Sequence, residues 1–261
     1  MKKTACKIAI LIAVVLTFRS LNAHAHDLVL IPVGPSGLTL EFGHPGEYQV
    51  PDSDRLIHLN AWLIGGGNPV SILGGITKSI GGHTTLDIRS FTAGHAAALV
   101  WGEYDNGYWV TLPGDRHFNT SKLHMPNSID SGAFYKFGKA LLPAASASGA
   151  FDHKLGQRLE IVPTRDPFKS RPGGKLPVEV LYLGKPLPGI GVEIGDGLTK
   201  MREEEIPRYK TDIHGIALLP IRKAGLQIVA VDYRTAPRFP ELSNHDDYGA
   251  SLVFSIGNHA P

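Results

Sequence analysis

The sequence predicts an all-β protein made of two β-sandwich domains. Thirty glycines and nineteen prolines divide the 261 residues into short segments, and few stretches have helical periodicity. Many of these segments alternate apolar and polar residues, which is the pattern of a strand with one buried face. About seven short strands at spacings of about 8–12 residues near the C-terminus are typical of a β-sandwich.

The N-terminal half supplies the first set of predicted strands. Residues 28–31 and 38–42 flank the turn Gly34-Pro35-Ser36-Gly37, and two more segments flank Asp105-Asn106-Gly107. The second of these turns predicts a hairpin, because Asn-Gly readily adopts positive φ. The remaining predicted segments are 57–63, 84–89, 96–104, 108–112 and 134–142, the last being a strand or a short helix.

A second set of strands follows residues 143–157, which are small and polar and have the composition of a linker. We therefore predict an N-terminal domain over 26–150 and a C-terminal domain over 158–261. The predicted strands of the second domain are 159–162, 178–183, 192–194, 216–219, 226–231 and 251–256.

The first 25 residues have the three parts of a secretory signal peptide in the right order. Basic residues at 2, 3 and 7 precede the apolar run 8–18, and Ala23-His24-Ala25 offers a signal-peptidase site. The apolar run is shorter than the roughly 20 residues that span a bilayer, which disfavours the alternative of an N-terminal anchor. We expect cleavage after Ala25, a periplasmic location and no membrane span in the mature chain.

Charge and cysteine content exclude several classes of function. Removing Lys2, Lys3, Lys7 and Arg19 with the signal reduces 26 basic residues to 22 against 24 acidic ones, a formal charge of −2. No basic run remains for nucleic acid. The single cysteine, Cys6, also leaves, so disulfides and thiolate sites are not expected. Because hydrolase, P-loop, dinucleotide and zinc-protease motifs are absent, we predict a protein that is not an enzyme.

Histidines are the main candidate metal ligands of the mature chain. Cleavage after Ala25 would make His26 the first residue, whose amine and imidazole form one chelate ring for a divalent metal. Cleavage after Ala23 would instead leave His24-Ala25-His26, a terminus suited to square-planar Cu²⁺ or Ni²⁺. A third alternative is that this stretch serves only the peptidase.

A second histidine extends the predicted metal site. His44 lies in a turn after the second predicted strand, and an antiparallel pair of strands can bring it to the same sheet end as His26. Asp27, another histidine or water would complete the coordination. His117 and His124 share the patternless loop 113–133 and are weaker candidates. The predicted metal ligands are therefore His26, His44 and Asp27.

Several stretches in consistent order resemble a family of exported bacterial proteins classed as a domain of unknown function. Its members are often described as the periplasmic component of nickel or cobalt uptake, the nickel uptake transporter family. The matching stretches are AHDLVL (25–30), FGHPGE (42–47), FYKFGKALLP (134–143), LEIVPTRDPF (159–168), LPVEVLYLGKPLPGIGVEI (176–194), YKTDIHGIALLP (209–220) and ASLVFSI (250–256).

The resemblance implies two β-sandwich domains, the second of the prealbumin or carboxypeptidase-regulatory type. It also implies a divalent metal ion, nickel or cobalt, and a membrane metal-uptake transporter as partner. Copper is the alternative that the chemistry of a histidine terminus allows. His26 matches the histidine that opens the mature family members, and His44 matches one in the following turn. The chain departs from the family pattern at Leu28-Val29, where an aromatic pair is usual, and at Asp232, near a strand position that often holds histidine.

Three functions remain open from the sequence. The first is a periplasmic protein that binds a divalent metal for nickel or cobalt uptake. The second is a non-catalytic periplasmic interaction module that binds a polymer or an envelope protein, with incidental histidines. The third is a copper protein with a histidine brace, which would need a second inward histidine.

Overall fold

A computed structural model describes residues 26–34, 36–65, 67–78, 84–196, 199 and 205–257. The predicted signal peptide, 1–25, lies outside the described residues. Within them the only α-helix is α1 (Ala144–Ser148), and no described helix is long and apolar enough to cross a membrane. The prediction of an all-β fold is confirmed.

In the described part of the chain, nine strands precede α1 and eight follow it. The first nine are β1 (Asp27–Val33), β2 (Gly37–Gly43), β3 (Leu56–Leu63), β4 (Val70–Ser71), β5 (Thr77–Lys78), β6 (Thr84–Asp87), β7 (Ala97–Leu112), β8 (Arg116–Phe118) and β9 (Asp130–Leu141). The others are β10 (Leu159–Pro163), β11 (Lys175–Tyr182), β12 (Lys185–Pro186), β13 (Gly191–Gly195), β14 (Arg208–Lys210), β15 (Ile216–Pro220), β16 (Gly225–Thr235) and β17 (His245–Ile256).

These strands form one large central sheet and two smaller sheets. The central sheet has the order β14-β13-β16-β17-β9-β7-β3-β4, with β8 also paired to β7. One small sheet has the order β1-β2-β6-β5, and the other joins β10, β11, β12 and β15. The paired strands are antiparallel except for β9 and β17, which run parallel at the middle of the central sheet.

The two small sheets cover opposite faces of the central sheet. Along β17, Leu252 and Phe254 belong to the core that contains β10 and β11, whereas Val253 belongs to the core under β1 and β2. Successive side chains of a strand point to opposite faces, so the two cores lie on either side of one layer. For this reason β17 is buried at every position except Ser255.

The shared central sheet bears on the predicted division into two domains. β9 belongs to the predicted N-terminal domain and β17 to the C-terminal one, yet they pair in register from His245 and Gly132 to Val253 and Ala140. Each half contributes a small sheet and a part of the central sheet, so each half forms a sandwich. The boundaries at 150 and 158 stay a prediction.

The predicted hairpin at Asp105-Asn106-Gly107 is wrong. The segments on its two sides form the single strand β7, which pairs with β9 along most of its length. The register shifts between Asp105 and Gly107, where Gly107 has φ of 75° and donates its N–H to the Asp105 carboxylate. An Asn-Gly sequence supplies the positive φ of a β-bulge as well as that of a turn.

Candidate functional site

The hairpin of β1 and β2 brings two predicted ligands together. Its register pairs Asp27 with Gly43, which places His26 directly across from His44. The two imidazole ring centroids are 4.9 Å apart, with 35° between the ring planes. Gly43 has φ of 139°, and a Cβ there would lie 2.8 Å from the Glu47 carbonyl oxygen, so the chain needs glycine to turn back after β2.

Aromatic packing fixes the His26 ring. It stacks on Phe42 with centroids 5.3 Å apart, and Phe42 in turn contacts Tyr104 of β7 at 4.8 Å. Burial, then the neighbouring His44 and Lys136, lower the pKa of His26. A neutral imidazole has a free lone pair, so a lowered pKa keeps His26 ready to bind a metal at neutral pH.

Asp27, the third predicted ligand, belongs to a different cluster. Side chains alternate along β1, so Asp27 lies on the other side of the strand from His26. Its Oδ1 is 3.9 Å from the ammonium of Lys136, which is also 3.3 Å from Asp232 Oδ1. These three residues are called the lysine cluster below. The role of Asp27 as a metal ligand stays a prediction.

The lysine cluster depends on a glycine in the central sheet. Lys136 on β9 pairs with Gly249 on β17, which pairs with Asp232 on β16, so the three positions form a row across the sheet. A Cβ at position 249 would lie 2.3 Å from the Lys136 ammonium. The missing side chain therefore lets the fully buried lysine cross β17 and reach both carboxylates.

The environment of Asp27 disfavours a bare negative charge. Burial is the main cause that raises its pKa well above the ordinary value, and Asp232 and Glu193 add to the effect while Lys136 opposes it. Its Oδ1 is buried and makes no hydrogen bond to any described residue. Buried polar atoms are usually hydrogen-bonded, so this oxygen is an unmet acceptor.

His26 and His44 are called the histidine pair below. A cavity of about 290 Å³ adjoins both this pair and the lysine cluster. Asp27, His44 and Tyr48 are among the residues that line it. The Tyr48 hydroxyl is buried without a hydrogen bond to any described residue, and burial together with nearby Asp27 raises the Tyr48 pKa. Strands β13 and β16 supply much of the remaining wall, with Glu193, Ile194, Gly195, Gln227, Ile228, Ala230 and Asp232.

The histidine pair has a separation that suits a shared metal ion. A metal about 2.1 Å from a ring nitrogen lies about 3.2 Å from the centroid of that ring. If the two rings bind one metal with an angle of about 90–110° at the metal, their centroids are about 4.5–5.2 Å apart. The separation of 4.9 Å falls within that range. The described residues contain no group of three or more His, Cys, Asp or Glu side chains placed to hold a metal. A main-chain group, water or a small molecule could supply further ligands to a metal held by this pair.

The other candidate histidines have different partners. His117 lies 3.1 Å from the exposed Asp115 carboxylate, and His124 contacts the Ser121 hydroxyl at 3.3 Å. A depression of about 660 Å³ near His124 is larger than the cavity beside His44, but it is open to solvent. Its Arg55 and Asn119 side chains hydrogen-bond to each other, which makes it a weaker ligand site.

Sequence reasoning missed Lys136 and underrated His245. His245 forms ion pairs with Asp247 at 2.8 Å and with Asp130 at 3.1 Å, and it joins the starts of β17 and β9. The adjacent acids in His245-Asp246-Asp247 were a local signal for such a pair. No local signal marks Lys136, because its partners Asp27 and Asp232 are about a hundred residues away along the chain.

Fold and site together define an all-β protein with a histidine pair at a sheet end, next to an acid-lined cavity. The family model for a domain of unknown function, DUF4198, matches residues 23–235, and the chain belongs to this family. The expected membership of a family of unknown function is thus confirmed. The chain is also similar to an uncharacterized protein of Haemophilus influenzae, with 27% identity over 237 residues that cover 88% of each chain.

Proposed function

We propose that the protein binds one divalent metal ion outside the cytoplasm and takes part in nickel or cobalt uptake. The observation that carries the proposal is the contact between His26 and His44, whose ring centroids are 4.9 Å apart. The lowered pKa of His26 supports it, because at neutral pH the imidazole is mostly unprotonated and a metal ion does not have to displace a proton from it.

The N-terminal amine supplies the third nitrogen of the proposed site. Cleavage after Ala25 places that amine on His26 itself, in one chelate ring with the imidazole. The resulting donor set has three nitrogens and is completed by water or a small ligand. The metal passes from this exposed sheet end to a membrane transporter, which the family resemblance suggests as partner.

Copper competes with nickel and cobalt at such a site. An unselective nitrogen site binds Cu²⁺ more tightly than Ni²⁺ or Co²⁺, following the Irving–Williams order. The proposed uptake role therefore needs copper to be scarce in the compartment, or needs the transporter to select the metal.

Metal titration into the mature chain tests the proposal. The protein is produced by export without an N-terminal tag, and N-terminal sequencing verifies that it begins at His26. Ni²⁺, Co²⁺ and Cu²⁺ are titrated separately into this chain, into His26→Ala, into His44→Ala, and into a chain with one glycine added before His26. The added glycine keeps both imidazoles but removes the amine from its chelate ring.

We expect each of the three variants to bind at least about tenfold more weakly, since loss of a direct ligand costs no less than loss of a supporting group. His214→Ala is the matched control, because His214 is exposed in a turn outside the site. Equal affinity in all the proteins would contradict the proposal and favour the interaction module.

A further inference from the structure

We propose that the cavity beside the histidine pair binds a small organic cation, a primary ammonium group on a compact apolar body. This ligand is distinct from the metal ion proposed above and does not depend on it. The cavity holds about 290 Å³, close to the lower end of small-molecule sites, which run from about 300 to 1,000 Å³.

Two unmet polar atoms mark the position of the ammonium group. Asp27 Oδ1 and the Tyr48 hydroxyl oxygen are buried and make no hydrogen bonds to the described residues. Both residues line the cavity, and Asp27 lies close enough to perturb the ionisation of Tyr48. An ammonium group carries three N–H donors, so one such group can satisfy both oxygens.

The lysine cluster shows that two of the cavity's carboxylates, Asp27 and Asp232, already have an ammonium group as a partner. The Lys136 Nζ already lies within 3.3 Å of Asp232 and 3.9 Å of Asp27 while fully buried. Asp27 also lines the cavity, so a ligand ammonium bound there would lie next to this carboxylate and could hydrogen-bond to Oδ1 after a small movement of the side chain. Hydrogen bonds between charged groups are about twice as strong as neutral ones, which favours an ammonium over a neutral hydroxyl.

The walls of the cavity suit a hydrocarbon body. Its lining includes the apolar residues Pro45, Ile194, Ile206, Pro207, Pro220, Ile228 and Ala230. Ala230 is on the same face of β16 as Asp232, two residues away, so its small side chain leaves space next to the charged end. A ligand with both a charged head and an apolar body matches this division.

The same residues disfavour a bare metal and an anion. The described carboxylates and imidazoles form no group of three that could hold a metal. An anion would meet four lining carboxylates: Asp27, Glu193, Asp196 and Asp232. Of the two lining cations, Lys223 pairs with Asp196, and Arg222 is within 3.2 Å of the Tyr209 hydroxyl.

Calorimetric titration of three matched probes tests the inference. Benzylammonium, benzyl alcohol and benzoate share one apolar body and carry a positive, a neutral and a negative head. Each is titrated into mature protein that has been treated with EDTA, so that the result is independent of metal binding. We expect benzylammonium to bind at least about tenfold more tightly than either of the others.

Two variants locate the site. Asp27→Asn removes the charge with little change of shape, and Ala230→Leu fills the cavity without changing charge. Each should weaken benzylammonium binding at least about tenfold. Asp115→Asn, a 90% exposed carboxylate outside the cavity, makes the same change of charge and should leave binding unchanged. Equal binding of the three probes, or unchanged binding in Ala230→Leu, would overturn the inference.

Discussion

At the scale of single residues, glycine at position 249 holds the lysine cluster in place. A Cβ there would lie 2.3 Å from Lys136 Nζ and 2.7 Å from its Cδ, and the fully buried lysine has no exposed position to move to. We predict that Gly249→Ala lowers the free energy of unfolding by about 1–3 kcal/mol, as overpacking in a core does. Urea denaturation measures the change.

Gly195→Ala is the control for this prediction. Gly195 is on β13, two strands away from β17 in the same sheet, and a Cβ there would meet no atom within 4 Å. The control should change stability by much less than Gly249→Ala. Equal effects of the two substitutions would show that the space above Gly249 does not matter.

A second prediction at this scale concerns the pH dependence of stability. Burial lowers the pKa of His245, but its ion pairs with Asp130 and Asp247 outweigh burial and raise the pKa to about 9. A raised histidine pKa adds stability that is complete below the unfolded value of about 6.5 and is lost as the pH rises through about 9. The expected loss is up to about 3 kcal/mol.

Unfolding by urea at pH 6, 7.5 and 9.5 checks this prediction. The wild-type chain should lose stability across this interval, whereas His245→Gln should lose much less because glutamine does not titrate. If both chains show the same slope, the ion pairs of His245 do not contribute as described.

At the scale of elements, a buried ion pair joins β9 to β10 on the face opposite the candidate site. The Lys139 ammonium contacts Glu160, and both side chains are almost fully buried. Glu160 also accepts hydrogen bonds from the N–H groups of Leu155 and Gly156, which ties the segment after α1 to the sheet. Burial lowers the pKa of Lys139, against the effect of Glu160.

Breaking this pair from one side should be costly. Lys139→Met leaves Glu160 as a buried charge without its ammonium partner, and we predict a loss of about 3–5 kcal/mol of stability. Adding Glu160→Gln removes the buried charge and keeps one amide oxygen as an acceptor for one of the two N–H groups, so the double variant should recover a large part of the loss. Thermal and chemical denaturation distinguish the three chains. A double variant no more stable than Lys139→Met would contradict the electrostatic explanation.

At the scale of the whole molecule, the parallel pair β9 and β17 joins the two halves. Residues 158–261 contain two sheets and a core of their own, so we predict that this fragment unfolds cooperatively as a β-protein. Without residues 26–150 it exposes the edge of β17 and the apolar side chains of Ile228 and Val253. Exposed edges and apolar faces promote association.

Mixing the two fragments tests this prediction. We expect 158–261 to bind a fragment of 26–150 and to gain thermal stability from it, by covering the open strand edge. Circular dichroism and sedimentation measure folding and association. A random-coil spectrum of 158–261 alone would contradict the predicted domain division. If both fragments fold but do not associate, the proposed role of the shared sheet is wrong.

The sequence by itself determined the β class, most of the strands and the meeting of His26 with His44. These features are local: alternation follows from the two-residue period of a strand, and a short hairpin brings its ends together. The same local reasoning failed at Asp105-Asn106-Gly107, because a turn and a bulge require the same positive φ at Gly107.

Only the tertiary structure decided what surrounds the histidine pair. Lys136, Gly249 and Asp232 become neighbours because β9, β17 and β16 are adjacent in the central sheet. No periodicity within one strand encodes which distant strand becomes its neighbour, since pairing depends on how both apolar faces of the sheet are covered. The acid-lined cavity and the position of Asp27 follow from that pairing, so they could not be predicted from the sequence.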